Sequence, residues 1–286
     1  MIRIYADSTN DLTRELLEKY NVRIVPLYVR MGDDSRPDGL DFDIESMYAW
    51  SDEHKSTPTT AAFSPGDAED ALKDAVDAGD DVLFFGISTE ISSSCNSFRI
   101  AAANLDWSDH TFVVDSRSLG NGIGILIIKA AEMAKEGNMS AAEIWLEIEK
   151  LIPKVRVSFV VDTLKYLYRG GRCSAVSALA SSALGIKPKI IMSGGKMTVG
   201  AKYRGKPEVV CKKYIADLRK GLLRADKEMV FVYHSVGTSE AVCEIMKKEV
   251  EDLKYFENIY ETVAGGIISS HCGPGTYAIM YLDTEE

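Results

Sequence analysis

The sequence predicts an α/β protein with two lobes, an N-terminal lobe built on a mostly parallel sheet and a C-terminal lobe built on a mixed sheet. Strand-like and helix-like segments alternate regularly through residues 1–150. Hairpin and crossover connections both occur in residues 151–286. A length of 286 residues suffices for one large or two small domains, and we place the boundary between the lobes near Lys150.

The N-terminal half contains short apolar strands and helices with recognisable starts. Residues 82–85 form an apolar run of the kind that is buried on both faces of a parallel sheet. Ser64 and Asp67 have the spacing of a helix cap, and Pro65 occupies the first helical position. The other predicted strands are 3–6, 23–29 and 111–114, the predicted helices are 11–20, 43–50, 65–78, 96–103 and 140–151, and 32–39 is a predicted loop.

The C-terminal half mixes connection types. Residues 174–184 form a predicted helix with almost no charge, which indicates a buried position or the wall of an apolar cavity. A hairpin is predicted over 189–201, with its turn at Gly194 and Gly195. The other predicted elements are strands at 156–161, 229–234, 258–263 and 276–282, helices at 163–168, 207–223 and 239–253, and a glycine-rich turn that holds His271.

Composition and motif spacing argue against several function classes. The net charge is −10, and a non-specific nucleic-acid partner would need a basic stripe. Membrane spans need about 18 consecutive apolar residues, and because no run is that long we expect no stable membrane insertion. Gly120, Gly122 and Gly124 have the spacing GxGxG instead of the dinucleotide GxGxxG, which favours close helix packing.

The cysteines and histidines indicate free thiols and no metal site. Five cysteines are scattered along the chain without a CxxC pair, which is typical of a reducing cytoplasm. The four histidines show no ligand spacing, so we expect no bound metal. Met1 leads directly into a strand, and we therefore expect a cytoplasmic protein without a signal peptide.

Residues 82–103 read as a strand, a hydroxyl-rich turn and a small-residue helix. The first N–H groups of a helix lack intrahelical partners and carry partial positive charge, so hydroxyls beside them suit a phosphate or a carboxylate. Serines at such a place are equally suited to capping the helix, and this stretch alone leaves both interpretations open. The hydroxyl-bearing residues are Ser88, Thr89, Ser92, Ser93 and Ser94.

Four polar features lie at the ends of predicted elements: Thr60, the serines at 92–94, Arg172 and His271. Arg172 closes a turn of two glycines between two arginines, which can direct N–H groups and a guanidinium at one anion. A solvated turn after a helix is the alternative for that segment. His271 precedes a Gly-Pro-Gly turn, where a purely packing role is harder to justify.

Several short motifs recur in a characteristic order along nearly the whole chain. They are Asp7-Ser8, Thr60 followed by Ser64-Pro65-Gly66, Ile87-Ser88 followed by Ser92, Val114-Asp115-Ser116, the run from Leu164 to Arg172, Ile186-Lys187-Pro188 and His271-Cys272-Gly273-Pro274-Gly275. In this order and spacing the chain resembles the DegV family of bacterial lipid-binding proteins. The resemblance implies a two-lobe protein that forms one domain over about residues 2–284.

The resemblance also implies a function, the binding of a long-chain fatty acid in an apolar tunnel between the lobes without catalysis or a cofactor. In the family, a threonine before the SPG turn and the first serine of an SGT triplet bind the carboxylate, and these match Thr60 and Ser92. The arginine of the GGR turn and the histidine of HxGPG support that site or a partner surface, and they match Arg172 and His271.

The chain departs from the family pattern beside both carboxylate-binding positions. The family's TSQ reads Thr-Ala-Ala at 60–62, and its SGT reads Ser-Ser-Ser at 92–94. Both hydroxyls expected at the carboxylate are retained, and Ser93 and Ser94 join the candidate ligand-binding residues. Some members are the binding subunits of a bacterial fatty acid kinase and pass the acid to a separate ATP-using subunit that makes the acyl phosphate. The resemblance therefore implies such a kinase partner, and we expect a monomer.

Two other function classes remain open at this point. A serine hydrolase would use Ser8 as the nucleophile and His271 as the base, although position 268 is Ile268 and no GxSxG turn is present. A phosphate or nucleotide enzyme would use the serine tract and the turn at 169–172, although no P-loop is visible.

Overall fold

Three β-sheets organise the chain in the computed structural model, which describes residues 1–174 and 185–285. The strands of the described residues are β1 Ile2–Asp7, β2 Val22–Val25, β3 Tyr28–Met31, β4 Asp34–Pro37, β5 Thr59–Ala61, β6 Asp81–Gly86, β7 Thr111–Asp115, β8 Val155–Val160, β9 Lys187–Ser193, β10 Lys196–Tyr203, β11 Ala225–His234, β12 Asn258–Val263 and β13 Tyr277–Asp283. Their helices are α1 Arg14–Lys19, α2 Ile44–Glu53, α3 Pro65–Ala78, α4 Ser94–Asn104, α5 Asn121–Glu136, α6 Ala141–Leu151, α7 Lys165–Gly170, α8 Pro207–Leu222, α9 Glu240–Glu251 and α10 Gly266–Cys272.

The N-terminal lobe has a parallel sheet with the strand order β2-β1-β6-β7. Its central strand β6 contributes Val82, Leu83, Phe84 and Phe85, all completely buried. Alternate residues of this run enter two different hydrophobic clusters, one on each face of the sheet. The predicted parallel sheet is confirmed.

The C-terminal lobe has a six-stranded sheet with the order β10-β9-β8-β13-β11-β12. Strands β11 and β12 are parallel, and the remaining neighbours are antiparallel. The predicted mixed sheet is therefore confirmed, and so is the hairpin that turns at Gly194 and Gly195 between β9 and β10.

Helix α5 packs between the two large sheets and joins them into one hydrophobic core. A Cβ on Gly124 would lie 2.7 Å from Leu12 Cδ2, and a Cβ on Gly122 would lie 2.6 Å from Val157 Cγ2 in the other lobe. A side chain at either position would therefore hold its neighbour away from the helix. The predicted packing role of the GxGxG glycines is confirmed.

The small third sheet, β4-β3-β5, was not predicted. Residues 23–29 were expected to form one strand, which is wrong: the chain breaks after β2 at Pro26, which has no N–H to donate, and β3 joins a different sheet. The predicted loop at 32–39 is also wrong, because Asp34–Pro37 is a fully exposed edge strand without apolar alternation. This sheet positions Thr60 on β5, opposite Val29.

One further prediction is wrong, and another falls mostly on residues that the structure does not describe. His271 lies in helix α10, not in the predicted turn. The glycines at the start of this helix, Gly265 and Gly266, serve close packing instead of a turn, because Cβ atoms there would lie 2.8 Å from Asp11 Oδ1 and 2.6 Å from Phe42 Cδ1. The predicted apolar helix at 174–184 lies outside the described residues apart from its first residue. Over the described ranges, none of the helices has both the length and the apolar composition needed to cross a bilayer.

Candidate functional site

A cavity of about 270 Å³ lies between the two large sheets. Apolar side chains from both lobes form most of its wall, including Ile87 and Leu119 from the first lobe and Phe159 and Met280 from the second. Polar side chains line only part of it. Cavities with apolar walls and a few convergent polar groups are typical binding sites for amphipathic small molecules.

A hydrogen bond between the N-terminal and C-terminal halves marks the polar part of the cavity. Thr60 Oγ1 on β5 lies 2.9 Å from His271 Nε2 on α10. Burial lowers the pKa of His271 to about 4, with a smaller contribution from the positive charge of Arg172. The imidazole is therefore neutral at physiological pH.

The two ring nitrogens of His271 have different surroundings. Nδ1 is buried and has no hydrogen-bond partner among the described residues. A buried N–H without an acceptor is rarer in proteins than a buried acceptor without a donor, so the surroundings favour a proton on Nε2. In that tautomer the imidazole donates to Thr60 Oγ1, and the hydroxyl proton of Thr60 is free to reach a ligand.

The glycine turn at 170–171 packs against the Nδ1 side of the His271 ring. A Cβ on Gly170 would lie 2.3 Å from His271 Nδ1, so only glycine allows the ring its observed position. Arg172 Nη1 donates to the carbonyl of Gly170 at 2.8 Å, and Arg172 itself is exposed and lines the cavity. Gly171 ends α7 with a left-handed φ of 68°. The turn thus places a guanidinium beside the imidazole.

The serine tract divides between the cavity and the core. Ser92 and Ser93 line the cavity, whereas the buried Ser94 donates to Asp7 Oδ2 at 2.8 Å. Ser92 Oγ also accepts from the Ser94 N–H at 3.3 Å, whereas the residue that caps α4, Ser93, makes no side-chain capping hydrogen bond. The structure brings Thr60, Ser92, Ser93, Arg172 and His271 to one cavity.

Asp7 holds the serine turn in place and was not predicted as part of the site. Its Oδ2 accepts from the Ile87 N–H at 2.8 Å as well as from Ser94, and its Oδ1 accepts from the Thr9 hydroxyl at 2.6 Å. Burial raises the pKa of Asp7, and these donors oppose that rise. The Asp-Ser pair that ends β1 was the only signal in the sequence for this role.

Two further buried carboxylates anchor the start of α10, the helix that carries His271. Asp11 Oδ1 accepts from the Gly265 N–H at 3.0 Å, and Asp38 Oδ1 accepts from the Gly266 N–H at 2.8 Å. Tyr233 lines the cavity and donates to Asp11 Oδ2 at 2.5 Å. Burial raises the pKa of Asp38 to about 6, and burial also raises the pKa of Asp11 well above its usual value.

The arrangement does not favour the serine hydrolase left open above. Ser8 lines a different cavity from His271, and its Oγ accepts from the Leu27 N–H at 3.1 Å. The proposed nucleophile and base are therefore not assembled. Within residues 1–174 and 185–285, no cluster of three or more His, Cys, Asp or Glu side chains could hold a metal ion.

Comparison with known proteins agrees with the fold and the cavity. A family model described as "Uncharacterised protein, DegV family" matches residues 1–284. A DegV domain-containing protein of Deinococcus radiodurans is 30% identical over 97% of both chains, and Protein DegV of Bacillus subtilis is 28% identical over 98% of both.

Solved structures agree as well. A DegV family protein from Thermus thermophilus, described by its fatty acid binding, superposes with a TM-score of 0.89 at 27% identity and covers 99% of both chains. DegV of Bacillus subtilis, described as a fatty acid binding protein, superposes with a TM-score of 0.83 at 25% identity over 99% of both chains. The match of the family model over nearly the whole sequence and these likenesses show that the chain belongs to the DegV family.

Proposed function

We propose that this protein binds a long-chain fatty acid in the cavity between its lobes, with the carboxylate held by Thr60 and Ser92. The observation that carries the proposal is that hydroxyl, imidazole and guanidinium groups line one mainly apolar cavity, where Thr60 and His271 are hydrogen-bonded to each other. Related proteins of the same fold from Thermus thermophilus and Bacillus subtilis are described as binding fatty acids. The protein acts as a carrier without catalysis or a cofactor of its own.

The acyl chain supplies most of the affinity. About 14 buried methylenes at about 0.8 kcal/mol each contribute roughly 11 kcal/mol. Association costs of order 4–15 kcal/mol offset most of that gain. The margin left after these terms does not tolerate an unpaired carboxylate, which costs several kcal/mol when it leaves water.

The polar groups remove that cost and set the orientation of the ligand. The hydroxyls of Thr60, Ser92 and Ser93 can each donate to a carboxylate oxygen, and the charge of Arg172 favours the ionised acid. A neutral His271 fixes Thr60 through its hydrogen bond without needing a counter-ion of its own. Ser94 supports the site indirectly, because its hydrogen bond to Asp7 holds the turn that carries Ser92.

The resemblance to carrier subunits of bacterial fatty acid kinase extends the proposal to delivery. The bound acid is presented to a separate ATP-dependent kinase subunit, which forms the acyl phosphate. The exposed position of Arg172 beside the buried head-group site supports this, because one residue can then contact both the ligand and a partner. We propose that the carrier itself is a cytoplasmic monomer.

The double variant Thr60→Ala with Ser92→Ala tests the head-group assignment. We expect about tenfold weaker binding of palmitate, measured by isothermal titration calorimetry, since hydrogen bonds to a charged group contribute about 1.5–3 kcal/mol and water replaces part of the loss. Thr59→Ala on the same strand is the matched control, because Thr59 is exposed and does not line the cavity. Wild-type affinity in the folded double variant would show that the carboxylate lies elsewhere.

A further inference from the structure

A second cavity, of about 460 Å³, lies where β8 and β9 separate. The two strands are paired only from Ser158 opposite Ile191 to Val160 opposite Lys189. Strand β8 nevertheless begins at Val155 and β9 continues to Ser193, so these ends diverge and line the opening. Among the residues that the structure describes, this cavity shares none of its lining with the one that holds Thr60 and His271.

Basic side chains dominate the charge of this second cavity. Arg117, Arg156 and Lys189 line it together with a single acid, Glu149. Arg156 is already paired, because its Nε lies 3.0 Å from Asp283 Oδ2. Among the described residues, the side chains of Arg117 and Lys189 form no ion pair within 4.0 Å and no hydrogen bond. Two cationic groups therefore share one space with the single carboxylate of Glu149, whose charge interacts with that of Arg117 without a direct ion pair.

Lys189 is the more buried of the two cationic groups. Its ammonium lies 5.7 Å from the centre of the Tyr214 ring and is partly buried. Burial lowers the pKa of Lys189, and the negative charge of Asp217 opposes this only in part. A bound anion would favour the charged form of Lys189.

The rest of the lining suits a ligand that is only partly polar. Ser118 Oγ is buried without a hydrogen-bond partner among the described residues, and Ser118 lines the cavity. Ile152, Ile191 and Leu218 supply apolar surface close to these polar groups. A ligand that combined an anionic head with a short apolar body would be complementary to both.

We propose that this second cavity binds a small organic phosphate, with the phosphoryl group between Arg117 and Lys189 and the apolar part against Ile152 and Leu218. A phosphate dianion matches two cationic groups, an arginine fork binds phosphate oxygens in pairs, and a lysine acts as a point charge. The site is independent of the fatty acid proposal, because it uses different residues.

Calorimetric titration with n-butyl phosphate tests the proposal, with inorganic phosphate as a separate arm. We expect n-butyl phosphate to bind more tightly than inorganic phosphate, and each of Arg117→Gln and Lys189→Gln to weaken it at least tenfold. The matched control is Lys220→Gln, which removes one charge from an exposed residue of α8 outside the cavity.

Three outcomes would overturn the proposal: no binding of n-butyl phosphate, equal binding by wild type and both variants, or equal affinity for the two probes. Arg117 is exposed, so its variant stays informative if Lys189→Gln disturbs packing. Palmitate affinity is measured on the same samples and should be unchanged. Failure of the phosphate site with intact palmitate binding would leave the proposed carrier function standing, and the reverse result would leave the phosphate site standing.

Discussion

Replacing Gly170 with alanine should weaken fatty acid binding about a hundredfold. The new Cβ would lie 2.3 Å from His271 Nδ1 and 3.1 Å from Cε1, distances at which the imidazole must move. Overpacking of this kind costs about 1–3 kcal/mol. A displaced ring would break its bond to Thr60 and intrude on the space for the carboxylate, so the steric loss adds to the electrostatic one. Direct titration with palmitate measures the effect.

The backbone at Gly170 accepts alanine, so the expected loss comes from the contact between the added Cβ and His271. Gly170 lies in α7 without a positive φ, so alanine suits its backbone and should favour the helix by about 0.5–1 kcal/mol. Gly39→Ala is the matched control, because apart from its two chain neighbours none of the described residues has a heavy atom within 4 Å of the added Cβ. Palmitate affinity within threefold of wild type in Gly170→Ala would contradict the role assigned to His271.

The stability of the unliganded protein should depend on pH through His271. Burial lowers its folded-state pKa to about 4, and the unfolded value is about 6.5. Between these pH values the His271 imidazole is protonated in the unfolded chain and neutral in the folded chain. This contribution therefore reduces the free energy of unfolding as the pH falls from 7 to 4, by up to about 3 kcal/mol.

The comparison with His271→Gln isolates this effect. Asp38 acts in the opposite direction, because its folded-state pKa is raised to about 6 and it favours the folded state as the pH falls. That contribution is common to both proteins and cancels in their difference. Urea unfolding of both at pH 7, 5.5 and 4 should show wild type losing stability relative to the variant, whereas a difference that does not change with pH would contradict the buried, neutral imidazole.

Elements specified by nearby residues were predictable from the sequence. Helix α3 runs from Pro65 to Ala78 as predicted, because its capping box lies within four consecutive residues. The exposed strand Asp34–Pro37 was not predictable, since it has no buried face and therefore no alternation of apolar residues. The break at Pro26 had a signal in the sequence, but the apolar residues on both sides of it suggested a single strand.

In the candidate site, residues that belong to short motifs were predictable, whereas residues whose partners are distant in sequence were not. Thr60, Ser92 and His271 were named from motifs, and the structure places all three on one cavity. The supporting roles of Asp7 and Asp11 were hidden, because their partners are distant in sequence. Tyr233, for example, is 222 residues away from the carboxylate of Asp11 to which it donates. No short-range pattern encodes such a pairing.

The most direct test of the central claim is a crystal structure of the protein with bound palmitate. We expect carboxylate oxygens about 3 Å from Thr60 Oγ1 and Ser92 Oγ, with the acyl chain between Leu119 and Phe159. A carboxylate directed away from both hydroxyls, or an acyl chain bound outside this cavity, would contradict it.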